Sequence, residues 1–216
     1  VGSTETATAT TAASPYTIDG LNPQTNYTVK VWPICADEGD FECHKVERQA
    51  TTLAPPESIP YCLGFDGSSM PAGWLALSGS VNLDYTTPGG SGRSMRLYAT
   101  TSNPSAIVMP LLDMPATLCS EVAMVYVNFM VRSGNGNGTL EIGTVHDAGL
   151  GGIDFVAIST IAVTAEWTET TVSLPANAVM SEMVALRLTS ANGSAEVYID
   201  RLCTGYCFGA NVELTG

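Results

Sequence analysis

Lysine is almost missing from this chain: Lys30 and Lys45 are the only two, and none follows residue 45. Such a surface offers trypsin-like proteases few cleavage points. Charge is scarce as a whole, at 13% of residues, and the acids outnumber the bases 21 to 8, leaving a net −13. A nucleic-acid binder needs a basic footprint to neutralise phosphates, so that class is set aside. Anionic membrane surfaces are disfavoured on the same ground. No apolar run is long enough to insert into a membrane. The longest candidate, AIVMPLLDMPA at 106–116, is interrupted by two prolines and Asp113. Histidine occurs twice and no Cys-x-x-Cys pair is present, which argues against zinc. Aromatics amount to 7%. An acidic surface does suit solubility in salty fluid and the binding of calcium.

What is plentiful points to strands. Apolar residues make up 45%, enough for a proper core, and glycine and proline are frequent, at 21 and 12. Thr, Ser and Val, also abundant, suit pleated surfaces. A length of 216 residues favours one or two domains. The six cysteines are Cys35, Cys43, Cys62, Cys119, Cys203 and Cys207. An even number spread through β-rich sequence reads as three disulfides formed in an oxidising, extracellular or cell-surface setting. No signal peptide opens the chain, so it is read as a mature piece of something larger.

Two regions follow from the patterning. In the first, Tyr16 and Ile18 point one way as a strand, Asp19-Gly20 turns the chain, and Tyr27, Val29 and Val31 alternate as a second strand. The run ADEGDFECHKVERQATTLA then reads as a closing hairpin. Cys35 and Cys43 flank its acidic tip, where a local disulfide would clamp it. The segment LNPQTNY, Leu21 to Tyr27, resembles the Leu-x-Pro-x-Thr-x-Tyr signature of fibronectin type III domains. That resemblance covers residues 1–54, the C-terminal part of such a sandwich. It implies that Tyr27 bonds its hydroxyl to nearby backbone, and that the strands carrying the core tryptophan lie upstream. Half a sandwich leaves its inner face exposed.

Residues 55–61 read as a short, stiff linker. Beyond it, strands are predicted near 62–66, 74–78, 94–99, 105–111, 120–132, 138–146, 153–163, 168–174, 183–189 and 195–202. GNGNG at 134–138, GLGG at 149–152 and ANGS at 191–194 mark turns. About ten strands with no helical period imply a jelly-roll sandwich over 62–207, with no helix longer than a turn. Residues 208–216 resemble the first strand of another fibronectin-like module. The fold class is therefore all-β: a partial fibronectin type III sandwich followed by a jelly-roll β-sandwich.

Several motifs recur in order along that second region. Cys62, Phe65 and Asp66 open it, and Pro71, Gly73 and Trp74 close its first turn. Gly92, Ser94 and Leu97 come next, then the hairpin LEIGTVHDAGLGGIDFVAI, Trp167 and the closing VYIDRLCTGYC. Together they resemble the cleaved-adhesin and MAM-like jelly rolls of Bacteroidetes surface proteins. The resemblance implies that the first and last strands are neighbours, with a structural Ca²⁺ at that edge. Its oxygens would come from Asp66, from the GGSGRS loop at 89–94, including Ser91, and from Asp200. The same topology implies a Cys62–Cys207 disulfide that staples the two ends, leaving Cys119 for Cys203. An exchange of Cys203 and Cys207 stays open, since spacing does not decide connectivity.

Catalytic constellations are wanting. No Gly-x-Ser-x-Gly, His-Glu-x-x-His or phosphate-binding glycine loop occurs. Cys-His chemistry would need a free thiol near His44 or His146, and every cysteine has a plausible partner. His146-Asp147 sits at a hairpin tip and reads as a solvated turn; Glu141 and Asp154 are the carboxylates a glycosidase pair would draw on. The expected function is a non-catalytic extracellular adhesion or binding module of a large multi-domain bacterial surface protein. It would present loops to a host or matrix protein or a glycan and adjoin neighbouring modules of its own polypeptide. The alternatives are a repeat unit of a surface fibre or stalk, or an accessory region of a secreted protease. Tyr85, on a loop-like stretch, is the aromatic placed to meet a ligand; Trp74 and Trp167 are read as core anchors.

Overall fold

The structure is a computed structural model that describes residues 8–11, 16–33, 45–113, 122–149 and 152–208. It divides into two compact units, Val1–Leu53 and Ala54–Gly216.

In the first unit, β1 (Asn26–Val31) and β2 (Val46–Thr51) form an antiparallel ribbon, with Asn26 opposite Thr51 and Val31 opposite Val46. The alternation of Tyr27, Val29 and Val31 is thus a strand. The Asn22 N–H donates to the Tyr27 hydroxyl at 2.9 Å, which ties the incoming chain to the strand. Thr52 closes the open end: its hydroxyl accepts from the Thr25 N–H at 2.9 Å, and its N–H donates to the Thr25 carbonyl at 3.0 Å. Tyr16 and Ile18 lie in no strand and are exposed, contrary to expectation. Their segment lacks a neighbour to take up its backbone hydrogen bonds among the described residues. Cys35, Cys43 and the acidic tip between them lie outside the described residues.

The second unit is a two-sheet sandwich. Its elements in chain order are β3 (Glu57–Ser58), β4 (Tyr61–Leu63), β5 (Leu75–Ser78), β6 (Ser80–Asp84), β7 (Ser94–Thr100), β8 (Ser105–Val108), β9 (Leu112–Asp113) and β10 (Val122–Asn135). They continue with β11 (Gly138–Gly149), β12 (Gly152–Ile161), β13 (Thr168–Pro175), α1 (Ala176–Ser181), β14 (Met183–Ser190) and β15 (Ser194–Phe208). A six-stranded sheet runs β13-β10-β15-β7-β6, with β4 also on β15; a five-stranded sheet runs β12-β11-β14-β8-β5. Every pairing in both is antiparallel. The chain passes from one sheet to the other at most of its turns, which is the jelly-roll path.

Period-two alternation fills the space between the sheets. Val125, Val127, Phe129 and Val131 of β10, Met95, Leu97 and Ala99 of β7, and Val197 and Ile199 of β15 meet Leu140, Ile142, Leu186, Leu188 and Ile107 of the opposite sheet, all buried. Removing any of the large ones would cost about 2–5 kcal/mol. Phe65 and Trp74 cap the core edge to face, ring centroids 5.3 Å apart at 76°.

Four expectations are corrected. The 55–61 stretch is no free linker: β3 pairs in parallel with β9, and Ile59 is 5% exposed within the core. Residues 80–84 form a strand, paired with β7. A six-residue helix, α1, follows β13 and buries Ala176 and Val179. Finally, Phe208 belongs to β15, opposite Val122, rather than to a following module; residues 209–216 lie outside the described residues.

Candidate functional site

The site forms where the unit's opening strand meets its closing one. β4 lies against the second half of β15, with Leu63 opposite Leu202, Cys62 opposite Cys203 and Tyr61 opposite Thr204. Cys62 and Cys203 are bonded across 141 residues of sequence. The staple is therefore Cys62–Cys203, the exchange that spacing left open, and not Cys62–Cys207. The reason is register: Cys203 faces Cys62 directly, whereas Cys207 is four residues further along and paired by its backbone with Met124 of β10. Cys119 lies outside the described residues.

Just past β4 the chain carries Phe65 inward and Asp66 outward. On β15, Asp200 ends the stretch that pairs regularly with β10. Between the pairs Met130–Asp200 and Asn128–Cys203, β10 supplies one residue and β15 two, a bulge. Arg201 sits in it at φ +51°, left-handed backbone that a side chain seldom adopts. The third wall is the Gly/Ser loop before β7. Gly64, Asp66, Gly89, Ser91, Gly92, Asp200 and Arg201 together line a cleft of about 410 Å³. All three sequence-predicted ligand positions, Asp66, Ser91 and Asp200, are thus brought to one place.

Gly92 sets how tightly the wall closes. It has φ +86°, and a Cβ there would fall 1.8 Å from Asp66 Oδ1. That oxygen accepts the Arg93 N–H at 3.1 Å. Asp200 is 6% exposed and accepts the Arg201 N–H at 2.8 Å. Burial pushes the Asp200 carboxyl above the usual carboxylate range. The like charge of Asp66 pushes the same way, while hydrogen bonds from the Arg201 and Phe65 backbone and the Arg201 charge pull against them. Among the described residues no group of three or more His, Cys, Asp or Glu is placed to hold a metal. Any cation here would rely on two carboxylates and loop carbonyls.

Tyr85 stands beside this wall, 75% exposed. The loop that carries it is tied down: the Thr86 N–H donates to Asp84 Oδ1 at 2.9 Å, and the Thr87 hydroxyl to the Ser91 carbonyl at 3.0 Å. The Arg93 guanidinium covers part of the phenol ring, 4.6 Å from its centroid, and donates to its hydroxyl at 2.7 Å. Arg93 therefore links the Asp66 carboxylate, through its backbone, to Tyr85, through its side chain. Sequence reasoning missed Arg93 and Arg201; the GGSGRS loop was the available signal for Arg93, whereas Arg201 lies in the β15 bulge.

The catalytic candidates do not converge. Glu141 is held by Arg187 at 2.8 Å, and Asp154 lies across from His146, five residues along β11. Glu141 and Asp154 are then roughly 16 Å apart along the strand, beyond either glycosidase spacing. His146 lies 3.6 Å from Asp154 and 3.8 Å from Glu182, and is 43% exposed.

Fold and site together define an all-β jelly-roll module with an acidic, glycine-walled cleft at the seam of its first and last strands. No protein-family model matches the chain, and no curated protein matches it in sequence. Among solved structures it is similar to the CBM22-1 xylan-binding domain of Xyn10C from Paenibacillus barcinonensis, at 15% identity over 69% of this chain and 95% of that one, TM-score 0.46. It is also similar to the K3 cleaved adhesin domain of Lys-gingipain from Porphyromonas gingivalis w83, at 14% identity over 66% and 98%, TM-score 0.46. An exo-β-agarase gives 12% identity over 70% and 26%, TM-score 0.49. No helix among the described residues is long and apolar enough to cross a membrane.

Proposed function

We propose that this chain is a non-catalytic binding module of an extracellular or cell-surface protein, in which a Ca²⁺ in the acidic cleft holds the loop that presents Tyr85. The convergence of Asp66, the Ser91 loop and Asp200 on one cleft carries this reading. The residues fit the ion. A hard cation takes oxygens, and two carboxylates face a glycine-walled space in which Asp200 bears an unfavourable buried charge. Asp66 and Asp200 would hold it, with backbone carbonyls of the 89–92 loop and water completing the shell. The ion would neutralise the paired acids and stiffen the loop. The ligand is a host or matrix protein or a glycan. The first unit is the C-terminal part of a fibronectin type III domain, a reading supported by the Tyr27–Asn22 bond, and further modules of the same polypeptide adjoin the chain.

A second reading, a spacer in a surface fibre or stalk, is favoured by one observation: the Cys62–Cys203 bond fastens the unit's first strand to its last. Surface-plasmon resonance on immobilised fibrinogen, together with a glycan array, separates the two. In calcium the wild type should be retained on at least one of them, and chelator or Tyr85→Ala should weaken retention tenfold or more. No retention on either surface would leave the spacer reading.

A further inference from the structure

Asp66 and Asp200 reach the cleft on two stretches of chain that one covalent bond fastens together. Asp66 follows Cys62 by four residues, and Asp200 precedes Cys203 by three. The bonded cysteines are 141 residues apart in sequence, yet through the bond the two acids become near neighbours along the covalent chain. Shortening a connection in this way raises the chance that its ends meet. The opening strand has little else at its side. β4 is three residues long and, among the described residues, pairs with β15 alone. One side chain backs this short ladder: the Thr204 hydroxyl accepts from the Tyr61 N–H at 3.2 Å and donates to the Tyr61 carbonyl at 3.3 Å.

Both sides of the bond act on the acids directly. Asp200 accepts the N–H of Arg201, its neighbour in the bulge, at 2.8 Å, and also the N–H of Phe65, which precedes Asp66 just past β4. Asp66 accepts the Arg93 N–H of the glycine loop at 3.1 Å. Drawing β4 away from β15 would thus take a donor from Asp200 and an acceptor from the loop in one movement. On the inner side Leu63 packs against the core, and Leu202 and Phe65 are buried. Alternation sets the sulfurs on the other side, where Cys62 is exposed and Cys203 half-buried. An external thiol can reach the bond without the core opening.

We propose that the Cys62–Cys203 bond is a redox-sensitive positioning device for the cleft: intact, it holds Asp66 and Asp200 at one cation site; opened, it releases β4 and lowers the affinity for calcium. The inference rests on the calcium reading of the cleft and adds its regulation. The reductant is a small thiol. Its thiolate attacks the exposed Cys62 sulfur, the Cys203 sulfur leaves and takes up a proton, and a second thiol then displaces the first from Cys62. Two cysteine thiols and one external disulfide result, and oxidation runs the sequence backwards. The coupling is reciprocal. Calcium must make the bond harder to reduce at equilibrium by the factor that reduction takes from calcium affinity. A bond that only staples the unit together would leave the calcium affinity of the folded chain unchanged.

Hydrogen exchange and calcium calorimetry on the full chain, oxidised wild type against Cys62→Ser with Cys203→Ser, test this. In chelator the Arg93 amide of the double variant should exchange about tenfold faster or more, while the amides of β10 keep their protection. Its calcium affinity should fall by about tenfold or more. In the wild type, equilibrated in dithiothreitol redox buffers, saturating calcium should raise by a like factor the reductant ratio that opens Cys62–Cys203, read by alkylation and peptide mapping. Unchanged Arg93 exchange and calcium affinity in the double variant would overturn the inference and leave the calcium reading standing. Loss of β10 protection in that variant would do the same, since the bond would then hold the whole unit rather than the cleft. An absence of calcium heat from the oxidised wild type would instead overturn the calcium reading and its regulation together.

Discussion

The Asp66 carboxylate occupies the space a side chain on residue 92 would need: a Cβ on Gly92 would lie 1.8 Å from Asp66 Oδ1. The cleft's geometry thus depends on a glycine in one wall and an acid in the other. Gly92→Ala should displace Asp66 and also strain a backbone at φ +86°. We expect a loss of about 2 kcal/mol in stability, read by urea unfolding, and loss of the Arg93–Asp66 contact. Gly90→Ala, also at positive φ but with open space around it, is the control and should cost about 1 kcal/mol.

Asp200 should make the metal-free chain less stable as pH rises. Its folded-state pKa lies above the unfolded value because it is buried beside Asp66. The native carboxyl therefore keeps its proton where the unfolded one has released it. The stability this group contributes is present below the ordinary carboxylate range and is lost as pH rises through the raised native value. In chelator, wild type minus Asp200→Asn should show this loss on going from acid toward neutral pH. Saturating calcium should flatten the difference.

Reducing the Cys62–Cys203 bond should destabilise the second unit. It closes a loop with a sequence separation of 141, worth about 5 kcal/mol in a chain-entropy treatment. Cys62→Ser with Cys203→Ser should lower the urea midpoint substantially, and peptide mapping of the oxidised chain should recover Cys62 linked to Cys203. Recovery of Cys62 linked to Cys207 would refute the pairing of β4 with β15 that sets Cys62 opposite Cys203.

In the first unit, Tyr27→Phe removes the acceptor of the Asn22 N–H. A loss of about 1 kcal/mol is expected. Hydrogen exchange at the Asn22 amide should accelerate, while the amides of β10 keep their protection.

The strands were readable because one face of each is buried, so apolar residues recur every second position, as in Met183–Ser190 and Ser94–Thr100. The meeting of Asp66, Ser91 and Asp200 was legible only through motif order. Four features were not legible. The choice of Cys203 over Cys207 depends on a register that spacing does not encode. Arg201 enters the cleft through a bulge that breaks the alternation of β15. Trp167 looked like a core residue because its type is apolar, yet its position one step before Thr168 turns it to the solvent side. β6 was hidden because SVNLD is short and runs straight into a glycine-rich loop.

Isothermal titration calorimetry with CaCl₂ on the chelator-treated chain tests the cleft most directly. One saturable site is expected, lost in Asp66→Asn and in Asp200→Asn while both variants keep their sheet signal by circular dichroism. Absence of calcium heat in the wild type, or binding that survives both substitutions, would contradict a cation held between the opening and closing strands.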